Sequence, residues 1–374
     1  MSEHKTLNAV AQIESLFAED KSFFLKREKD NLSLFKKLKM KHLYALPSML
    51  TRRIYKLLPN LLKDIIFWPW VQHRAPATKY FANTRYDELR TLIDIKLSSM
   101  VLRSFPQEMI DSTKNTFDKG FFVTQLNDIS ELDIHISDVI NYSKPSHAGA
   151  RPYLKDGKNK EIQDSFSAYY DFSTEANKHI TSFMLKRLDN KFNYHLSALA
   201  GYRCRFKDIS YSLGIVHGEN SNSEMHQDTF ASIAKGFIYL QDVTIDDSPF
   251  EYMAGSYKDA AFRSLQSNNS ILNDDIQSSG ATRLRGKQLE EAANKYSLQT
   301  FIGRSGTLIL ANTAAYHRKG LHNSTKPRIT LNFEIKRKGL IGKLFINLSA
   351  AIRFNIIKLL KKNRSEEHTS ELQS

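Results

Sequence analysis

The sequence predicts a mainly β core, an antiparallel barrel or double-sheet jelly roll, with helices packed outside it. Three observations carry that expectation. Short segments of strand character recur between 209 and 335 with turn residues between them. One of them alternates strictly: Arg328, Thr330, Asn332 and Glu334 share one face, and Ile329, Leu331, Phe333 and Ile335 share the other. Helical patterns, by contrast, concentrate before 190 and after 338, apart from one in LRGKQLEEAANKYS at 284–297.

Composition bounds the rest. A chain of 374 residues with 41% hydrophobic residues has ample material for a packed core. Cys204 is the only cysteine, so an intrachain disulfide is excluded and a reducing, cytoplasmic compartment is expected. Glu3, Glu14, Glu19 and Asp20 interrupt the first thirty residues, which are not a secretory signal. The formal charge of +14 favours anionic partners such as phosphate, nucleic acid or lipid headgroups without choosing among them.

Taken in order, residues 1–75 read as helical. No acidic residue occurs from Asn31 to Lys63, where lysines and arginines alternate with Leu, Met, Ile and Tyr. Such a stretch either lies on an anionic membrane surface or is the solvated face of a helical subdomain. A helix over about 86–102 and another ending near Gly120 lead to a strand at 121–126. Residues 141–175 are polar and read as surface loops. A helix follows at 174–188, then strands at 209–219, after Ala234 and at Phe250, breaking at Gly255. The Ser, Asn and Asp-rich stretch from 259 reads as an insertion over one end of the sheet. Strands resume at 305–312 and 328–335. Beyond Glu334 an acid-free run carries Ile341, Leu344, Phe345, Leu348, Ile352 and Ile356 at helical spacing among lysines and arginines. Lys343, Asn347 and Arg353 interrupt it too often for a membrane span, leaving a surface-lying amphipathic helix or one docked on the barrel. RSEEHTSELQS at 364–374 is similar to the translation of a sequencing-library adapter and is set aside as an artefactual tail.

The chemistry centres on EMHQDTF at 224–230. In an extended strand His226 and Asp228 turn to the same face, and an imidazole beside a carboxylate is two thirds of a metal site. By itself the pair also fits a polar surface strand. A second histidine must come from elsewhere. His317, a short turn beyond the strand at 305–312 and eleven residues before Arg328, has the best context, and His322 is its competitor. An arginine inside a barrel needs an anion, and a carboxylate is its natural partner.

Four segments together resemble the phytanoyl-CoA dioxygenase family of Fe(II)- and 2-oxoglutarate-dependent oxygenases. MHQDTF at 225–230 is similar to its metal strand. YLQDVTIDDSPFEYMAGSYK at 239–258 resembles its strand, turn and strand, with Ala254 for the usual proline and Tyr257 for the usual histidine. SGTLILANTAAYH at 305–317 resembles the segment of the distal histidine, with Thr307 where an acid is common. NSTKPRITLNF at 323–333 resembles the segment whose arginine holds the co-substrate. The resemblance implies a double-stranded β-helix (jelly roll, cupin-like) over 106–338 with an insertion at 259–300. It is preceded by a helical, partly basic region at 1–105 and followed by a basic amphipathic helix at 339–363. It implies His226, Asp228 and His317 as iron ligands, and Arg328 and Gln227 at the 2-oxoglutarate, although alternation turns Gln227 away. Phe237 and Tyr239 share a face that could pack on the co-substrate, and Lys319 replaces a small hydroxyl residue.

The activity implied is hydroxylation of a C–H bond with consumption of O2 and release of succinate and CO2. The substrate would be a small-molecule, lipid or carbohydrate-linked compound, with peripheral contact at the inner face of a membrane through the basic helices. Two other readings stay open. One is nucleic-acid demethylation by the same iron chemistry, and the other is a non-catalytic, membrane-associated jelly-roll binding module.

Overall fold

The computed structural model describes residues 84–132, 145–148, 153–155, 158–160, 166–188, 191–205, 209–219, 221–228, 232–263, 265–266, 282–335, 342–349 and 352. The expectations for 1–83, the polar stretch 267–281, most of the C-terminal helix and the tail fall outside them.

Alternation of apolar and polar residues along the strands produces two antiparallel sheets. The larger orders its strands β1 (Phe121–Gln125), β12 (Thr307–Asn312), β8 (Ala234–Tyr239), β14 (Arg328–Ile335), β6 (Ile209–His217), β5 (Phe166–Asp171) and β2 (Pro145–Ala148). The smaller orders them β10 (Thr282–Arg283), β7 (His226–Gln227), β13 (His317–Lys319), β9 (Phe250–Met253) and β11 (Leu298–Phe301). A hairpin of β3 (Tyr153–Lys155) and β4 (Lys158–Lys160) stands apart. From β6 onward the chain winds back and forth between the two sheets, which makes a double-stranded β-helix.

The alternation in β14 gives that strand an oily and a polar face, whereas β12 is apolar on both. Leu213, Ile215, Ile238, Leu308, Leu310, Ile329, Leu331 and Phe333 point outward into one core with Ile180, Phe183 and Met184 of helix α3 (Thr174–Arg187) and Phe192, Leu196 and Leu199 of helix α4 (Lys191–Ala200). Each such side chain contributes about 1.5–3 kcal/mol over leaving it in water. The inward face carries polar residues on β14 and a second apolar cluster, with Ile309, Ala311 and Tyr239 against Phe250 and Tyr252, elsewhere. Ser173 starts α3 by accepting a hydrogen bond from the Ala176 amide at 3.1 Å.

Two helices precede the sheet, α1 (Thr84–Arg103) and α2 (Gln107–Lys119). The second stops at Gly120, whose φ of 84° lets its amide close the last turn on the Thr116 carbonyl. A Cβ there would lie 2.3 Å from the Tyr252 hydroxyl, which donates to the Gly120 carbonyl, so glycine is required for both conformation and space.

Three expectations need correction. The stretch 141–175 is not all loop, because β5 and β2 extend the larger sheet there, with Tyr170 in the core and Ser167, Tyr169 and Asp171 on the inner face. Helix α4 was not expected; it is buried almost throughout, its polar His195 and Ser197 included, so no solvent-facing polar stripe marks its period. The stretch 259–300 is more than an insertion over the sheet, since it supplies β10 and β11 to the smaller sheet around helix α5 (Lys287–Lys295).

The final described helix, α6 (342–349), docks through polar groups. Lys343, 1% exposed, donates to Asp94 Oδ1 of α1 at 2.5 Å and to the Ser232 carbonyl at 3.0 Å. Asp94 accepts the Ser232 amide on its other oxygen. Asn347 receives the Arg203 amide and donates to the Gly201 carbonyl. Breaking a buried pair by removing one partner costs about 3–5 kcal/mol. Asp94→Ala, which strands the Lys343 ammonium, is expected to lower unfolding free energy by about that amount in chemical denaturation; a loss under about 1 kcal/mol would mean that the helix does not depend on the pair.

Candidate metal centre

Strand pairing brings the sequence candidates together. In the smaller sheet β13 lies antiparallel to β7 with His317 directly opposite His226, and the rings approach to 4.5 Å between centroids. Asp228 follows β7 by one residue, and its amide donates to the Thr313 carbonyl at 3.0 Å, which holds the bend. His226 Nε2 is 3.8 Å from Asp228 Oδ1, and His317 Nε2 is 3.8 Å from Oδ2. All three ligand atoms fall within 4.8 Å of one another.

The imidazoles are set up as ligands. His226 Nδ1–H donates to the Glu224 carbonyl at 2.7 Å and His317 Nδ1–H to the Ala315 carbonyl at 2.9 Å, which leaves each Nε2 lone pair turned to Asp228. Burial, aided by His317 and Arg283, lowers the His226 pKa to about 3; burial also lowers that of His317. Both are therefore neutral, as metal ligation requires. Burial by itself would raise Asp228, but Lys235 and the two imidazoles outweigh it and hold the carboxyl well below the usual range. Glu224 is clamped in turn by Arg283 and Arg285, each at 2.8 Å, so β10 steadies the segment carrying His226. Two imidazoles and a carboxylate on one side, with their outer nitrogens anchored, are the donor set of a facial non-haem iron site.

The cluster opens onto a cavity of about 620 Å³ between the sheets. The inward faces of β5, β6, β8 and β14 line one wall with Tyr169, Asp171, Ser210, Ser212, Lys235 and Asn332, and Phe237 and Phe250 meet at 4.9 Å beside it. Arg328 also lines it. Its guanidinium donates to the Ser248 carbonyl, while Nε is buried with no partner among the described residues. Burial lowers its pKa, partly offset by Tyr239, Tyr169 and Asp247.

Of the residues singled out in the sequence, His226, Asp228, His317 and Arg328 line one cavity and Gln227 does not. Its Oε1 accepts from Arg263 Nε at 2.9 Å in a buried contact, because alternation from His226 turns it to the other side of the sheet. Tyr239 donates to the Phe301 carbonyl. His322 is bonded to Ser248 and packed at 4.4 Å against His217, apart from the cluster.

Two lysines were not read as site residues. Lys235 Nζ lies 2.8 Å from Asp228 Oδ2 and 3.6 Å from Glu334. Lys319 is buried, donates to the Gly218 carbonyl at 2.6 Å, and has its pKa driven well down by burial and by Arg328. Counting by twos from Phe237 and from His317 would have placed both on the cavity face.

Fold and donor set thus define a class, a double-stranded β-helix with two histidines and one carboxylate at the mouth of its cavity. No protein-family model matches the chain, and no curated protein matches it. Solved structures similar to it include the epimerase SnoN in complex with Fe3+, alpha ketoglutarate and nogalamycin RO, at 12% identity over 62% of this chain and 85% of that one, with a TM-score of 0.37. HygX from Streptomyces hygroscopicus with nickel and 2-oxoglutarate is similar at 13% identity, over 63% and 88%, with a TM-score of 0.36. EctD from S. alaskensis with bound Fe is similar at 11% identity, over 63% and 77%, with a TM-score of 0.37.

Metal titration separates the candidate ligands. His226→Ala, Asp228→Ala and His317→Ala are each expected to weaken divalent-metal binding at least about 100-fold, and His322→Ala to leave it within about threefold. A large loss on His322→Ala instead would reassign the third ligand. Lys235 competes with a metal for Asp228, and a hydrogen bond to a charged group contributes about 1.5–3 kcal/mol. Lys235→Met should therefore tighten Co(II) binding by about tenfold in calorimetry; weaker binding would show that the ammonium positions Asp228 instead of competing for it.

Proposed function

We propose that this protein is an Fe(II)- and 2-oxoglutarate-dependent oxygenase that hydroxylates a C–H bond of a polar small molecule. The observation that carries the reading is the pairing, in one cavity, of a three-ligand cluster with Arg328, whose Nε has no partner among the described residues. Such a cluster leaves three iron positions, enough for a bidentate keto acid and O2. A buried arginine with an unmet donor fits a carboxylate. Lys319 lines the same cavity and feels the charge of Arg328, so a carboxylate held by Arg328 also meets Lys319.

The chemistry supplied by iron when bound is activation of O2 coupled to decarboxylation of 2-oxoglutarate to succinate and CO2. The remaining work belongs to the chain. His226, Asp228 and His317 fix the metal on one side of the cavity; Arg328 and Lys319 orient the co-substrate by its distal carboxylate; Phe237 and Phe250 keep water from that end. Asp228 supports hydroxylation, because a carboxylate ligand fills the position that a halide would need.

The described wall of the cavity also bears on the substrate. Ser210, Ser212, Asn332, Asp171 and Glu334 offer hydroxyl, amide and carboxylate groups beside the rings of Tyr211, Phe237 and Phe333. Groups of this kind recognise hydroxyls or amines, as in a carbohydrate-like or amino-bearing compound, better than a hydrocarbon chain.

Anaerobic addition of Fe(II) and 2-oxoglutarate is expected to produce a charge-transfer absorption band, lost in Asp228→Ala. Arg328→Gln should raise the 2-oxoglutarate concentration for half-maximal absorbance by at least about tenfold, the loss of roughly 1.5–3 kcal/mol from a charged hydrogen bond. A folded sample that binds both components without the band would sink the reading. Succinate release in a screen of polar substrates then tests turnover.

A further inference from the structure

Helix α6 is turned the unexpected way round. An amphipathic helix on a core normally buries its apolar stripe and exposes its charges. Here Lys343 and Asn347, one turn apart, face inward and are fully engaged with Asp94, Ser232, Gly201 and Arg203. Ile346 packs partly beside them. Leu344, Phe345 and Leu348 therefore look outward, at 43%, 74% and 54% exposure, joined by Ile352 at 54%. At about 100° per residue these four positions fall within one arc of roughly 100°. The polar anchors fix that orientation, since a rotation that hid the apolar arc would strand the Lys343 ammonium and Asp94 in the interior.

The charge around this face selects its occupant. No acidic residue occurs from Ile335 to Ser365, while Lys336, Arg337 and Lys338 precede the helix and Arg353, Lys358, Lys361 and Lys362 follow it in sequence. An apolar ridge flanked in the chain by cations and no anions is complementary to an anionic lipid interface, where side chains such as Phe and Leu enter the acyl boundary and lysines meet headgroup phosphates. It is a poor match for another basic surface, including a second copy of a chain that carries +14. None of the described helices is long and apolar enough to cross a membrane, and a helix held by Lys343 would meet the bilayer lying flat.

We propose that the outward face of Leu344, Phe345, Leu348 and Ile352 docks this protein on an anionic phospholipid bilayer. The anchor is independent of the metal centre, so it stands or falls separately from the catalytic reading. The test is sedimentation of the full chain with vesicles of phosphatidylcholine alone or mixed with phosphatidylserine, at low and high salt, for wild type and Phe345→Glu/Leu348→Glu. The wild type is expected to partition onto the mixed vesicles, less so onto phosphatidylcholine, and to be released by salt. The double variant should partition at least about tenfold less while keeping its thermal midpoint and its metal affinity. No sedimentation of the wild type with mixed vesicles, or equal sedimentation of the variant, overturns the proposal. So does a fall in the variant's thermal midpoint or a change in its oligomeric state without lipid, because either would mean that the chain itself or a second copy covers this face.

Discussion

The antiparallel pairing of β7 with β13 is the constraint on which the site depends. It sets His317 opposite His226 although the chain separates them by 91 residues, and it does so through only a few backbone hydrogen bonds in very short strands. Such strands have little stability by themselves. They are held because the smaller sheet is wound against the larger one, whose oily outer face is locked under α3 and α4. The cluster of His226, Asp228 and His317 is thus stabilised by apolar burial both on the outer face and beside it, where Phe250 packs on His317.

The same division accounts for the charged residues. The larger sheet sends every apolar side chain of β14 outward to the helices and every polar one inward, so the cavity gains Arg328 and Asn332 without any sacrifice of core packing. Cations gather inside it: Lys235 on Asp228, and Lys319 with Arg328. Lys235 keeps Asp228 ionised, and Arg328 Nε has no partner among the described residues. At the opposite extreme, α6 shows that polarity can also direct docking, because the Lys343–Asp94 pair decides which side of a helix meets the protein and which meets the surroundings.

Much of the fold was legible because the longer strands obey a period of two. The alternation in 328–335 gave both faces of β14 correctly, and the start of α3 and the stop at Gly120 were marked by capping chemistry. What escaped notice lacked a period. β10 and β13 are two or three residues long, α4 is buried on nearly all sides although its sequence mixes polar and apolar residues, and β5 sits in polar flanking sequence. Among site residues, Gln227 stands out by adjacency but is a partner of Arg263, whereas alternation alone would place Lys235, unmarked by any motif, on the cavity face.

By itself the sequence determined the chemistry on offer. His226 and Asp228 two apart, a later histidine and an arginine eleven residues beyond it make a metal and an anion the expected ligands. It left His317 and His322 as rivals, and it left the C-terminal helix free to lie either way up. Only the tertiary structure decided those, and for one physical reason: both turn on which side chain faces which neighbour across long sequence separations. Cross-strand register sends His317 to His226 and His322 to Ser248, and a buried ion pair 249 residues apart turns the apolar side of α6 outward.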